Sequence, residues 1–308
     1  MRSSAVRNLP SDRQGTLLLA GLGSRRDMAL ASDKLESAHL LAGLGLPVPV
    51  TRTIVQSGID PKLDEPPWTE PGKLLIKPRH GSSAKGLFSV VRTADGGFLA
   101  KGSFPLSSQQ LSSFLMQAAR KDQLLVQSFL EPGEGTRDLS PDAPTVVRAF
   151  TARAMPGEPA KLITAMLKIL PPGVDAPHGI NELLLLPIEL ETGKLEDGIL
   201  FSRPADRWAR SPWNDISIRG RIVPEWDKLR DMVIRASAIM PATPLIGWDV
   251  LLGQQGPVIL EANTGVSLFR AMLWHFEKQV DSPLPAMLEN WCRAAGITQA
   301  SGAGKNLP

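Results

Sequence analysis

The chain has 308 residues, is 43% hydrophobic and carries a net charge of only +3, with a pI near 9.1. That apolar content excludes global disorder, and the charge is too weak and too evenly spread to mark a nucleic-acid surface. The single Cys292 excludes an internal disulfide and a cysteine-built metal site.

No apolar run approaches the length of a membrane span. Arg2 and Arg7 precede the short run Leu17–Ala20, and Ala29-Leu30-Ala31 mimics a cleavage site. The run is cut by Gly21 and Gly23, and Arg25, Arg26 and Asp27 follow. A signal peptide is therefore disfavoured, and a cytoplasmic protein is expected.

Residues 1–31 read as a helical or poorly ordered lead-in. Asp33 then caps a helix, with Glu36 three residues on as its partner. Leu35, Ala38, Leu41 and Ala42 form its expected apolar face, and Gly43 or Gly45 stops it before Pro47. Lys34 falls in the first turn, where the helix dipole favours anions. It suits a bound anion there, or else it is a solvated surface lysine. Val50–Val55 reads as a strand, 60–72 as a Pro-rich loop, and Leu74–Pro78 as a strand ending on Lys77. Arg79-His80-Gly81-Ser82-Ser83-Ala84-Lys85-Gly86 follows, then a strand over Leu87–Val91. A strand, a Gly/Ser loop and a strand make a flap whose amides and hydroxyls can close over phosphates. A long hairpin turn is the plainer alternative. The GK[ST] ending and following helix of a P-loop are missing.

Ser107–Lys121 reads as a helix with Leu111, Phe114, Leu115 and Ala118 on one face. Leu124–Leu130 is an expected strand, and 132–144 a loop. Thr145–Arg153 and Lys161–Ile169 read as a strand pair carrying Arg148 and Lys168. Cations recurring among apolar strand residues point to an anionic ligand, or to an internal ion pair or a solvated face. Leu183–Leu190 and Ile199–Phe201 are expected strands. Val223–Met240 is an amphipathic helix with Trp226, Leu229, Val233, Ala236 and Met240 in register. Helices are expected over Ser267–Gln279 and Leu284–Ala295, and a flexible tail over 299–308. Among the four histidines, His80 enters the flap loop and can touch a phosphate. None has metal-ligand spacing with another.

The chain is organised around Gly247–Leu252, the turn Gly253-Gln254-Gln255-Gly256, and Pro257–Asn263, read as two buried strands of a hairpin. Each strand carries acid or amide where a core strand carries none. Glu261 and Asn263, two apart, project to one face, and pairing about the turn brings Asp249 to it. Two carboxylates and an amide oxygen are hard ligands suited to Mg²⁺. A surface hairpin with solvated acids is the bland alternative, disfavoured by the apolar flanks Val250, Leu251, Val258, Ile259 and Leu260.

This order of parts resembles the ATP-grasp superfamily over about residues 32–295. The resemblance rests on Asp33-Lys34 opening a helix that ends in Gly-Leu-Pro-Val-Pro, and on Lys77-Pro78 with its flap. It continues through Leu125-Val126-Gln127-Ser128-Phe129-Leu130-Glu131 to Asp249 and Glu261-Ala262-Asn263. Thr145–Arg148, Glu191–Lys194, Gly220–Trp226 and Ile246–Val250 are similar to the sugar-transfer associated group. The resemblance implies an α+β fold, with two α+β subdomains clasping ATP behind a reduced N-terminal lead-in. Its parts are the lead-in 1–31, an N-terminal part 32–130 with the flap subdomain at about 72–130, and a C-terminal subdomain 131–298.

The resemblance also implies roles. Lys34 and Lys77 contact phosphates, and the loop with His80, Gly81, Ser82, Ser83 and Gly86 closes over them. Backbone groups of Gln127, Ser128, Phe129 and Leu130 bind adenine, and Glu131 the ribose. Asp249, Glu261 and Asn263 hold Mg²⁺, while Lys168 and Arg148 hold the γ-phosphate or the acyl group. The implied reaction activates a small-molecule carboxylate as an acyl phosphate and joins it to an amine or thiol, with a sugar-conjugate setting. A kinase acting on a hydroxyl and a non-catalytic nucleotide-binding module are the competing expectations. The sugar-transfer group carries a Gly-rich Asp-Asn segment where this chain has Pro177-His178-Gly179.

Overall fold

The computed structural model describes residues 12–81, 86–100, 105–174, 183–200, 202–268, 270–272, 275 and 280–297. His178, most of the 267–279 helix and the 299–308 tail lie outside them, as do Ser82 and Ser83 of the expected flap. Helices α1 (Asp12–Leu22), α2 (Arg25–Ser32) and α3 (Lys34–Gly43) open the described chain, so the lead-in is helical from Asp12 onward. Ser24 caps α2, and the buried Asp27 accepts from Ala242 N at 2.8 Å and Thr243 Oγ1 at 3.1 Å. Asp33 caps α3, accepting from Leu35 N and Glu36 N, both at 3.1 Å. The buried side of α3 differs from the expected apolar face: it is Lys34, Ser37 and Leu41, while Ala42 is exposed. Apolar spacing cannot announce a helix face that buries a lysine.

Strands β1 (Thr51–Val55), β2 (Lys73–Pro78), β3 (Phe88–Arg92), β4 (Phe98–Ala100) and β5 (Leu124–Ser128) form an antiparallel sheet in the order β1-β5-β2-β3-β4. One face packs on α4 (Ser108–Ala119), burying Trp68, Ile76, Phe98, Leu111, Leu115 and Val126. The opposite face carries Lys77 beside Leu125, and Leu75 beside Gln127. Residues 132–144, expected as loop, contain the one-turn helix α5 (Glu134–Arg137).

Strands β6 (Val146–Ala152), β7 (Lys161–Ile169), β8 (Leu184–Pro187), β9 (Gly198–Leu200), β10 (Arg203–Trp208), β11 (Leu245–Gly253) and β12 (Gly256–Asn263) form the second sheet, ordered β10-β9-β8-β7-β6-β11-β12. β4 and β10 escape the sequence reading, being a three-residue strand and a charged edge strand without apolar alternation. One face of the second sheet packs on α2, α3 and α6 (Trp226–Ala236) through Leu41, Val233, Trp248, Ile259 and Ala262. The other packs on α1 and α7 (Leu284–Ala294) through Leu19, Phe150, Leu245, Leu284 and Trp291. The free edge of β12 is closed by Ile259 N donating to Pro47 O at 3.0 Å.

Strand β11 is buried along all but its last residue, as its apolar run requires. Its pairing with β12 slips at Asp249/Val250: Asp249 faces Glu261, but Val250 faces Ile259, leaving Leu260 as an extra residue. A bulge of this kind re-aims the side chains beyond it. It lets Ile259 and Ala262, three apart, share one core, and brings Glu261 out on the face of Asp249.

Candidate functional site

The register across β6, β11 and β12 sets Arg148, Asp249 and Glu261 in one row. Arg148 grips Asp249 with two bonds, Nε to Oδ1 at 2.8 Å and Nη2 to Oδ2 at 2.7 Å. Lys168, from β7, donates to the same Oδ1 at 2.6 Å. Asp249 is 6% exposed. Burial by itself would raise its carboxyl, but the charges and bonds of Arg148 and Lys168 more than offset that and hold it far below the usual range. Burial lowers Lys168, and Asp249 restores only part of the loss; for Arg148 the same carboxylate outweighs burial and the guanidinium is raised. Room for Arg148 comes from Gly247: a Cβ there would stand 2.8 Å from Val266 Cγ1 and 3.3 Å from Arg148 Cδ.

Glu261 is handled in the opposite way. Its carboxyl is raised, first by burial and then by the facing Asp249, against the pull of Lys34, Lys77 and Arg148. Asn263 Nδ2 lies 3.5 Å from both Glu261 Oε1 and Gly247 O, too far for strong bonds.

Two N-terminal cations act on this acid: Lys77 from β2 of the five-stranded sheet, and Lys34 from α3, which packs on the seven-stranded one. Lys77 is 7% exposed, and burial lowers its ammonium to about 8, with Glu261 raising it and Lys34 lowering it further. Lys34, 9% exposed, is lowered by burial and raised by Glu261, Asp122 and Asp33. A solvated surface lysine is thereby excluded for Lys34; its Nζ donates to Gly81 O at 2.7 Å. Glu261 is thus the group through which β12, α3 and β2 sense one another, and it makes no ion pair among the described residues.

His80 donates its amide to Asp122 Oδ2 at 2.6 Å, and its Nδ1 sits 2.9 Å from Asp122 Oδ1, so Asp122 holds it. Gly81 and Gly86 both have positive φ, +95° and +77°, which only glycine adopts freely; a Cβ on Gly86 would also stand 3.0 Å from Pro78 Cγ. Gln127 is held in the ladder between β1 and β2, and its Nε2 donates to Thr51 Oγ1 at 3.0 Å. The amides of Ser128 and Phe129 go to Val50 O and Lys73 O, while Leu130 has no hydrogen bond among the described residues. Lys73 Nζ lies 4.0 Å above the Phe129 ring. Glu131 is exposed and its carbonyl accepts from Gln254 N. Arg79 escaped the sequence reading: it forks onto Asp33 at 2.8 and 2.5 Å. No short-range pattern links residues so far apart in the chain.

Among the described residues, no three His, Cys, Asp or Glu side chains gather as a self-sufficient metal cage. What the geometry offers is the Glu261 carboxylate, which has no ion pair among the described residues, with the Asn263 amide beside it and a facing Asp249 whose oxygens already accept from Arg148 and Lys168. That suits a cation drawing its other ligands from phosphate and water, as Mg²⁺ does. No helix of the described residues is long and apolar enough to cross a membrane.

Two antiparallel sheets, each backed by helices, with Lys77 on one and Asp249 and Glu261 on the other, define the class: the fold is that of the ATP-grasp proteins. A profile of the family "sugar-transfer associated ATP-grasp" matches residues 16–274, and the chain belongs to that family. Comparison with curated proteins gives no match. Among solved structures, D-alanine–D-alanine ligase from Bacillus anthracis, complexed with ATP, is similar at 13% identity and TM-score 0.53, over 93% of this chain and 76% of that one. D-alanyl-alanine synthetase A from Vibrio cholerae O1 biovar eltor is similar at 14% and 0.53, over 88% and 67%. The D-Ala:D-Ser ligase VanG from Enterococcus faecalis is similar at 14% and 0.53, over 89% and 64%. The chain therefore spans between 64% and 76% of the lengths of these three proteins.

Proposed function

We propose that this chain is an ATP- and Mg²⁺-dependent ligase that activates a small-molecule carboxylate and joins it to an amine or thiol. The observation that carries the reading is that Lys34 of α3 and Lys77 of β2 both act on Glu261 of β12, beside a facing Asp249. Four cations (Lys34, Lys77, Arg148 and Lys168) stand around two carboxylates, a balance that suits a polyphosphate together with a divalent cation. ATP would lie between the five- and seven-stranded sheets, which makes residue 130 the division between the two subdomains.

In this reading Lys34 and Lys77 hold the phosphates, and His80, Gly81, Ser82, Ser83 and Gly86 belong to the loop over them. Gln127 to Leu130 line the base, with the Leu130 amide open to it, and Glu131 meets the ribose. Asp249, Glu261 and Asn263 would hold Mg²⁺, which when bound neutralises charge on the transferred phosphoryl group. Lys168 and Arg148 orient the γ-phosphate and the attacking carboxylate. A carboxylate oxygen bonds to the γ-phosphorus as the bond to ADP breaks. The amine then attacks the acyl carbon, loses a proton and expels inorganic phosphate. Positioning and charge neutralisation supply the rate in such transfers, so no protein nucleophile is required. The family description supports a sugar-conjugate setting, and a location in the cytoplasm goes with small-molecule substrates.

The test is ADP release against a panel of carboxylic acids, with and without hydroxylamine. Hydroxamate formation is expected. ADP with a phosphorylated hydroxyl product and no hydroxamate would establish a kinase instead. Glu261→Ala is expected to abolish Mg²⁺-dependent turnover with the fold intact, and wild-type turnover in that variant would refute the assignment.

A further inference from the structure

Arg79 lies outside every ligand set named so far, yet it ties together the two elements that carry the phosphate-facing lysines. Its Nε and Nη2 hold both oxygens of Asp33, at 2.8 and 2.5 Å, and its Nη1 holds Gln123 Oε1 at 2.9 Å. The main chain repeats the link: Lys34 N donates to Arg79 O at 3.1 Å, and Arg79 N to Gln123 O at 2.8 Å. Helix α3 is packed through Leu41 into the core of the seven-stranded sheet, whereas Arg79 directly follows β2 of the five-stranded one. The fork therefore spans the two bodies, next to Lys34 on one side and two residues beyond Lys77 on the other.

Such a link has work to do. Lys34 and Lys77 repel one another, and neither has an ion-pair partner among the described residues. A guanidinium fork on a carboxylate fixes direction as well as distance, which a single ammonium contact does not. Asp33 is itself immobilised, because the same carboxylate accepts the Leu35 and Glu36 amides as the cap of α3. Its carboxyl, held by Arg79 first, is lowered to about 2, so the fork stays charged at neutral pH.

We propose that Arg79 is a positioning residue: by clamping Asp33 it sets the spacing of Lys34 and Lys77, so that the two ammonium groups meet a triphosphate as one unit. This rests on the nucleotide reading above. The substrate feature it serves is the phosphate chain, not the base.

A non-hydrolysable ATP analogue and adenosine are titrated into wild type, Arg79→Gln, Arg79→Lys and Asp33→Asn. Arg79→Gln is expected to weaken the triphosphate by roughly 10- to 100-fold, the size of a lost charge-assisted pair, with adenosine unchanged. Arg79→Lys is expected to recover little, because one ammonium cannot hold both oxygens. Asp33→Asn keeps a good helix cap and loses the charged fork, so it should match Arg79→Gln even if that variant folds poorly. The double variant should be no weaker than either single one. Unchanged triphosphate affinity in Asp33→Asn, or an equal loss for adenosine, overturns the proposal alone. A wild type that binds neither ligand overturns the nucleotide reading and this proposal with it.

Discussion

Charge is handled in opposite ways on the two sheets. On the seven-stranded sheet, Arg148 and Lys168 are both committed to Asp249, in a closed network with bonds of 2.6 to 2.8 Å. On the five-stranded sheet, Lys77 is buried with no ion pair among the described residues, and the acid that raises it, Glu261, belongs to the other sheet. The closed network holds its own shape. The open pair leaves charge unanswered, which is costly to bury and therefore informative about what fills the gap.

The largest expected effect breaks the closed network. Asp249→Ala strands two partly buried cations and should cost about 3–5 kcal/mol in chemical denaturation, as removing the buried partner of an ion pair does. The open side should answer with the opposite sign. Lys77→Met removes an ammonium whose folded pKa of about 8 lies below its usual 10.5, and so relieves a penalty that is fully present below pH 8. At about 1.4 kcal/mol per unit, the gain at neutral pH should reach roughly 3–4 kcal/mol, together with loss of triphosphate binding. The stabilisation should fade between pH 8 and 10.5, as the wild type sheds its proton. If Lys77→Met destabilises instead, the contrast between the sheets fails.

Two smaller effects sharpen the same contrast. Gly247→Ala places a Cβ against Val266 and Arg148, and should cost about 1–2 kcal/mol by thermal melting, with the Arg148–Asp249 bond disturbed. Glu261→Gln should alter stability by under about 1 kcal/mol at pH 5, but change its pH dependence. The raised Glu261 contributes stability present below about 4.5 and lost as pH rises through its elevated folded value. The lowered Asp249 contributes stability present above about 3.8 and lost as pH falls through its folded value. Glu261→Gln should therefore remove the upper decline and leave the acid limb; a variant curve parallel to wild type at both ends would remove Glu261 from the site.

Much of this was legible in the chain itself. The hairpin of β11 and β12 announced itself by continuous apolar runs about a Gly-Gln-Gln-Gly turn, and the acids within those runs were conspicuous because core strands lack them. Other parts left no local mark. β4 and β10 are short or charged edge strands, where pairing rather than pattern makes the strand. Lys34 sits on the buried side of α3, where a periodicity of apolar residues points elsewhere. Arg79 and Asp33 meet only because β2 ends where α3 begins.

What the sequence determined by itself was where the charged residues stand in the chain: acids and an amide on a buried hairpin, Lys77 before a glycine-bounded loop, and the order of parts that marks the family. These follow from local rules, namely strand alternation, helix capping and the positive φ that glycine allows. Tertiary structure decided the pairing of the charges. Only the packed sheets reveal that Arg148 and Lys168 share Asp249, that a bulge at Leu260 turns Glu261 toward the lysines, and that Arg79 clamps Asp33. Electrostatic partners are chosen by distance and burial, and neither quantity is set by neighbours in sequence.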